Sequence, residues 1–265
     1  MNEVIQKILN VILPWRWWTA YWRHIEKITT SGYIAEPSPT MIAVVNAVFS
    51  FLRWILIGKV TVVNDQYLDT PGRIIVCANH STYLDSLVCF PMMHRPVRAL
   101  GAYEEMRRWL GIPALVLTKI GAIPVDRSHG ATVLEPAIKV LVSGQPVGLF
   151  PEGKISPTGE LLPLKPGVAL IANAAYERLG GKETVAILPV HFCFGKRHPE
   201  SAVNLWKMGL RWRGGITITV MPPIWLHEME DRSVDNIMCK VRNALTSVKC
   251  ATTSDLLKIC GGKDA

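Results

Sequence analysis

Residues 73–85 read RIIVCA (73–78) followed by NHSTYLD (79–85). The first six have the length and apolar content of a strand buried on both faces. The next seven place a histidine and, five positions on, an aspartate where that strand runs out. On one ideal helix five residues turn through about 500°, so His80 and Asp85 would point well apart. They meet only if His80 precedes the helix and the chain folds back. That is a strand-to-helix loop, the part of an α/β protein where chemistry concentrates.

The same texture continues through the second part of the chain. Strand-like runs are VTVVND, RIIVCA, VRALGA, AIPVDR, PVGLF, TVAILPVHF and GITITVM, beginning with the first after residue 59. Helical patterns lie between several of them, over 82–92, 131–142 and 166–178, and a last amphipathic helix is expected over about 232–248. Pro166 suits a first helical position and Gly180–Gly181 a stop. Strands alternating with helices predict a mainly parallel α/β sheet flanked by helices over 59–265.

Residues 1–58 differ. In VIQKILNVIL (4–13) the apolar positions gather on one helical face, and Lys7 with the lack of a small-residue cleavage site argues against a cleavable signal. Trp15, Trp17, Trp18, Tyr21 and Trp22 follow, interleaved with Arg16 and Arg23, a mixture suited to the headgroup level of a bilayer. A second apolar segment, 41–58, approaches spanning length, yet Asn46, Ser50 and Arg53 form a polar stripe on it. An arginine near the middle of a lone spanning helix is costly. The expectation is a pair of helices docked on one leaflet, monotopic and on the cytoplasmic side.

Composition agrees with a membrane surface. The 265 residues are 49% hydrophobic and 19% charged, with a net charge of +8. Such a balance suits an anionic membrane or a phosphorylated substrate. Nucleic acid is disfavoured, since there is no long Lys/Arg run or recognisable binding module. The six cysteines are dispersed without a C-x-x-C pair, which predicts reduced thiols and no metal framework.

Three further stretches give the His80/Asp85 spacing its weight: GAIPVDR (121–127), a strand ending in arginine; FPEGKISPTG (150–159), a strand followed by a Pro-Glu-Gly turn; and AILPVHF (186–192), with proline inside a strand. In this order they resemble the glycerolipid acyltransferase family, which includes 1-acylglycerol-3-phosphate acyltransferases. The resemblance covers roughly 59–225, and the N-terminal helices look like the docking element of bacterial members. It implies a glycerol-3-phosphate acyltransferase-like fold and acyl transfer from acyl-CoA or acyl-carrier protein to the sn-2 hydroxyl of 1-acylglycerol 3-phosphate, forming phosphatidic acid. No metal or covalent cofactor is implied.

The chemistry of the residues fits that implication. A hydroxyl is a poor nucleophile at neutral pH and needs a base. His80 would take its proton, and Asp85 would fix the tautomer and stabilise the imidazolium. Arg127 is the foremost candidate for an acceptor phosphate. Glu152 would hydrogen-bond the glycerol portion, Gly153 would let backbone approach substrate, and Pro189 would shape the wall behind the site. Many family members continue Phe-Pro-Glu-Gly with Thr-Arg, whereas this chain has Lys154–Ile155. Lys154 or Lys165 would then supply the second cation.

Other readings fit less well. No G-x-S-x-G elbow exists, so Ser81 and Thr82 read as helix-capping residues rather than nucleophiles. His191 and Cys193 share a strand face and read as packing. The segment 207–215 reads equally as a membrane-contacting loop or a basic hairpin. Another lysophospholipid or an acylated amino-acid lipid remains an alternative acceptor. A non-catalytic membrane lipid-binding protein is the alternative from a different class.

Overall fold

The computed structural model describes residues 15–30, 32–82, 84–85, 88, 95–126, 134–156, 160–194 and 214–248. The expected helix over 4–13 and Arg127 lie outside the described residues. Most of 207–215 and part of 82–92 lie outside them too.

Described elements run α1 (Trp15–Thr29), α2 (Pro39–Leu56), β1 (Val60–Val63), β2 (Arg73–Ala78), β3 (Arg98–Ala102), α3 (Tyr103–Arg107), α4 (Ile112–Lys119), β4 (Ile123–Val125), α5 (Leu134–Val142), β5 (Val147–Leu149), α6 (Gly167–Arg178), β6 (Val185–Phe194), β7 (Ile216–Val220), β8 (Ile224–Trp225) and α7 (Val234–Ser247). The sheet order is β1-β7-β6-β2-β5-β3-β4, with β8 also on β6. The RIIVCA run is central, parallel to β6 on one side and β5 on the other. Its alternate residues serve two cores, as a period of two requires. Ile75 and Cys77 pack with α5, α6 and α7, while Ile74, Val76 and Ala78 pack on the face that carries Phe49, Leu52 and Leu56 of α2.

The sheet is mixed rather than wholly parallel, because β7 and β8 both run antiparallel to β6. They act as one strand broken at Met221–Pro223. Val220 opposes Val190 and Ile224 opposes Ile187, so three residues face the two at 188–189. Pro189 sits at this bulge, its carbonyl accepting from the Met221 amide at 2.9 Å. A residue's N–H and C=O point to the same side of a strand. The missing donor of Pro189 therefore falls at the break, where proline is tolerated within a sheet. The short β8 was not anticipated from the sequence, since two residues directly after a pair of prolines carry no periodicity.

Helix boundaries differ from expectation by a few residues. Pro166 is the N-cap of α6 rather than its first helical residue. Gly180 and Gly181 both take positive φ, and their amides close the helix on Glu177 and Tyr176 carbonyls at 2.9 and 3.0 Å.

The two described N-terminal helices dock on different patches of the α/β domain. Ile25 and Ile28 of α1 pack with Met106 and Ala114. Ser38 caps α2, accepting from the Met41 amide at 3.3 Å ahead of Pro39. The inner face of α2 meets the sheet, while Val44, Val48, Phe51 and Trp54 point outward, with Trp54 61% exposed. Asn46, Ser50 and Arg53 are only half-buried at the side. The outward face of α2 is thus apolar, and the polar stripe lies between two apolar faces.

Arg98 locks these layers together. Fully buried, it donates from Nε to the Gly121 carbonyl at 2.6 Å, from Nη1 to Gln145 Oε1 at 2.9 Å and from Nη2 to the Ala35 carbonyl at 2.7 Å. Burial lowers its pKa, partly opposed by Glu36. One side chain therefore joins the α1–α2 linker, the turn before β4 and the turn before β5. The cysteine reading needs one correction: Cys77 and Cys239 are free, but Cys193 is disulfide-bonded. Dispersal in sequence did not reveal that pairing, because disulfide geometry depends on spatial approach.

Arg98→Met should lower stability by at least about 3 kcal/mol, since each buried acceptor left unsatisfied costs roughly 1–3 kcal/mol. Urea denaturation checks this: the midpoint should fall with little change in slope. An unchanged midpoint would mean that the linker is held some other way.

Candidate active site

The parallel pairing of β2 with β5 brings the ends of both strands to one edge of the sheet. Beyond Ala78, the Asn79 side chain takes over the pairing to β6. Its Oδ1 accepts from the Phe192 amide at 2.7 Å, and its Nδ2 donates to the Phe192 carbonyl at 3.1 Å and to Ser81 Oγ at 3.1 Å. A side-chain amide presents one acceptor and two donors, which is what a continuing backbone partner would require. Asn79 went unassigned in the sequence, although it directly precedes His80.

The chain then turns around a buried carboxylate. Asp85 Oδ2 faces His80 Nδ1 at 2.8 Å and accepts from the backbone amides of Ser81 at 2.7 Å and Thr82 at 3.0 Å. Thr82 Oγ1 donates to Asp85 Oδ1 at 3.3 Å while accepting from the Leu84 amide at 2.9 Å, the local capping role expected of it. His80 therefore stands before the fold-back and Asp85 after it. With Nδ1 engaged by the carboxylate, Nε2 is the nitrogen left to face a substrate. The imidazole also stacks on Phe150, centroid to centroid 4.0 Å and 10° between planes. Phe150 was quoted within Phe-Pro-Glu-Gly but had no assigned role.

Glu152 lies beneath this loop. Its Oε1 accepts from the His80 amide at 2.6 Å and its Oε2 from the Leu162 amide at 2.9 Å, and it is only 3% exposed. The Ser156 amide donates to the His80 carbonyl at 2.8 Å. Both backbone polar groups of His80 are thus held by the segment after β5. Burial raises the Glu152 pKa, and the His80 and Leu162 amides oppose that shift. The sequence reading put this carboxylate against the acceptor's glycerol, but the geometry turns both oxygens to backbone donors. Each oxygen thus ties the segment after β5 to a backbone amide, one of them in the histidine loop, an inward direction that was invisible in the motif.

Gly153 has φ +68°, a left-handed conformation that glycine adopts without a Cβ penalty. The Lys165 stem and Nζ cross this residue, 2.9 Å from where a Cβ would stand. The neighbour that comes close to Gly153 is therefore Lys165. That side chain is exposed, just ahead of the α6 N-terminus, and its amide donates to the Pro151 carbonyl at 2.8 Å. Lys154 is exposed on the same turn. His80, Asp85, Glu152, Gly153 and Lys165 come together, with Lys154 beside them. The strand preceding Arg127 ends at Val125, two strands from β5.

His191, on the neighbouring β6, carries a buried Nδ1 without a hydrogen-bond partner, and burial lowers its pKa. Among the described residues no group of three or more His, Cys, Asp or Glu side chains could hold a metal ion.

Comparisons with known proteins converge on one family. The Acyltransferase family model matches residues 59–192, just over half of the chain. The chain is 32% identical over 119 residues to a 1-acyl-sn-glycerol-3-phosphate acyltransferase of Bacillus subtilis, covering 44% of this chain and 57% of that protein. It is 26% identical over 180 residues to the protein of the same name from Limnanthes alba, covering 63% and 55%. The chain thus spans little more than half the length of these curated relatives. A 1-acyl-sn-glycerophosphate (LPA) acyltransferase from Thermotoga maritima shares the fold, with a TM-score of 0.55 and 17% identity over 79% of this chain and 81% of that one.

Glu152→Gln should separate positioning from contact with substrate. The amide retains one acceptor, so one backbone amide meets an NH2 group. The activity of the variant should fall roughly 10- to 100-fold through kcat, with acceptor KM nearly unchanged and stability lower by about 1–3 kcal/mol. A variant defective only in acceptor KM would return Glu152 to the substrate.

Proposed function

Because this chain belongs to the acyltransferase family, we propose that it transfers a fatty acyl group from acyl-CoA or acyl-carrier protein to the sn-2 hydroxyl of 1-acylglycerol 3-phosphate, yielding phosphatidic acid. The observation that carries this reading is the His80 Nδ1 to Asp85 contact of 2.8 Å on a loop fixed at both backbone groups. Nε2 accepts the proton of the acceptor hydroxyl as its oxygen attacks the thioester carbonyl. The resulting tetrahedral oxyanion collapses, the C–S bond breaks, and the imidazolium returns its proton to the departing thiolate. Asp85 stabilises the imidazolium between these transfers. An ester and a free thiol result, without an enzyme nucleophile, metal or covalent cofactor.

The acceptor phosphate is assigned to Arg127, with Lys165 and Lys154 as further cations. Lys165 stands at the mouth of the turn that supports His80, which favours it over Lys154. The lipid substrate must be reached at a membrane surface, and α2 supplies the means. By length and composition it is long and apolar enough to cross a bilayer, with a mean hydropathy of 1.6. Its inner face is nonetheless committed to the sheet. That packing supports monotopic attachment to one leaflet through Val44, Val48, Phe51 and Trp54, and the proposal puts that leaflet on the cytoplasmic side.

His80→Ala should reduce thiol release from acyl-CoA in the presence of 1-acylglycerol 3-phosphate by roughly 10²–10⁴-fold. Asp85→Asn should also be severely impaired, because the amide no longer stabilises the imidazolium. Near-normal turnover by His80→Ala would sink the mechanism. Arg127→Ala should raise KM for the phosphorylated acceptor far more than for the donor. Equal use of unphosphorylated lysolipids by the unaltered protein would move a neutral acceptor to first place.

Membrane attachment has its own check. Alkaline carbonate should release part of the full-length protein from membranes. Complete resistance, with protease reaching the two ends from opposite sides, would establish a spanning helix.

A further inference from the structure

The turn between α3 and α4 has a backbone that its sequence does not favour. Trp109, Leu110 and Gly111 take φ of +52°, +62° and +76° in succession. Only three described non-glycine residues have positive φ, and two of them are here. Left-handed backbone is costly for residues with a Cβ, least so for asparagine, which is the third. Such conformations persist where surrounding packing over-determines them, and they cluster at working surfaces.

The packing beneath the turn is specific. The Tyr21 hydroxyl donates to the Leu110 carbonyl. Gly111 lies so close to α1 that a Cβ would stand 2.9 Å from Ile25 side-chain atoms. Ile25 and Ile28 form a small core there with Met106 and Ala114. The outcome is that Trp109 stands 77% exposed and Ile112 56% exposed. A strained turn thus holds a large apolar ring in the open, where packing within this chain gains nothing from it.

Three neighbours indicate what covers the ring. Trp17, 72% exposed, stands one turn before Tyr21 on α1, and Tyr21 touches the turn directly. Helix α4, which the turn begins, also contacts α2, whose outward face is Val44, Val48, Phe51 and Trp54. Arg108, more than half exposed and paired with Glu105 at 2.9 Å, adjoins Trp109 in a chain of net charge +8. Exposed indoles beside cations suit the headgroup region of an anionic leaflet. The topology adds a direction. Helix α4 returns the chain from the end of β3 to the start of β4, which pairs parallel with it. The turn before α4 therefore lies toward the strand ends that carry His80.

We propose that the Trp109–Ile112 turn is an interfacial anchor, separate in sequence from residues 1–58, that inserts Trp109 and Ile112 into the bilayer leaflet beside Trp17. The occupant is a lipid surface. This rests on the reading that the acceptor is a membrane lipid, but the anchor makes no contact with the reacting atoms. Together with the outer face of α2 it gives the domain a second point of attachment. Two separated points restrict the tilt of a body on a surface more than one does, so the His80 edge is confined to a narrower range of angles to the leaflet.

The test uses the full chain and phosphatidylcholine–phosphatidylglycerol vesicles containing no lysolipid, so that binding is read without turnover. W109S/I112S should partition at least about tenfold more weakly by vesicle sedimentation, given the apolar area that a tryptophan and an isoleucine bury. Its thermal transition should be unchanged, since both side chains are exposed. Lipids brominated on their acyl chains should quench wild-type emission, and the wild-type minus W109F difference should show that Trp109 is among the quenched residues. Unaltered partition together with a Trp109 component shielded from bromine would overturn the proposal. So would a change of oligomeric state in W109S/I112S without vesicles, which would make this face a protein contact. Absence of acyl transfer with the binding results intact would discard the reading of function and leave the anchor standing.

Discussion

A carboxylate removed from water has to be satisfied by donors, and at Asp85 that requirement shapes everything around it. Among the described residues no lysine or arginine pairs with it. It collects two successive backbone amides, the Thr82 hydroxyl and one ring nitrogen of His80. Backbone amides converge on one oxygen only if the chain wraps around that oxygen. The wrap in turn dictates that the histidine sits before the fold-back, with its ring turned to the carboxylate. The five-residue spacing is the sequence trace of that curl. A longer or shorter separation would leave either the amides or the imidazole out of reach.

The curl does not hold itself in place. Its first residue is held from below by Glu152 and Ser156, both supplied by the segment after β5. Burying a second carboxylate so close to the first is unfavourable for its charged form, and burial accordingly raises its pKa. The arrangement is tolerated because each Glu152 oxygen has its own amide donor. Parallel pairing of β2 and β5 makes this possible, since it delivers the two loops to the same edge without a long connection. The Asn79 amide completes the frame by carrying the pairing with β6 past the end of β2.

Much of this was legible in the residues. The run RIIVCA reads as a doubly covered strand, and His80 with Asp85 reads as a loop constellation, because both signals are local. The direction of a side chain relative to a distant strand is not local. The motif containing Glu152 therefore could not show that its oxygens turn inward to the His80 and Leu162 amides. Pro189 read as out of place in a strand because the bulge opposite it is made by Met221–Pro223, thirty residues on. Arg98 drew no attention, as its three acceptors come from Ala35, Gly121 and Gln145. The polar stripe on α2 was visible in the sequence, but helical spacing reveals faces and not which of them meets the domain. Lys165 read as a cation just ahead of a helix, and its approach to Gly153 is again a contact that sequence spacing does not show.

The N-terminal helices present a last physical question, which is why a domain with two full cores leaves such large apolar side chains outside. The sheet does not need them: Phe49, Leu52 and Leu56 already serve its α2-side face, and Ile25 with Ile28 already cover Met106. Water alone would favour polar residues at the outward positions of α2 and at Trp109. The proposed attachment gives these positions another phase to meet, and that phase must be broad, because the side chains come from α1, α2 and the turn before α4. A lipid surface has that breadth. It also reconciles the apolar face with the excess of positive charge, since an anionic leaflet attracts the chain at a distance and accepts its rings on contact. Under the proposed function, the base would be His80, held by two buried carboxylates, and it would be presented by a body whose orientation the proposed membrane contact restricts.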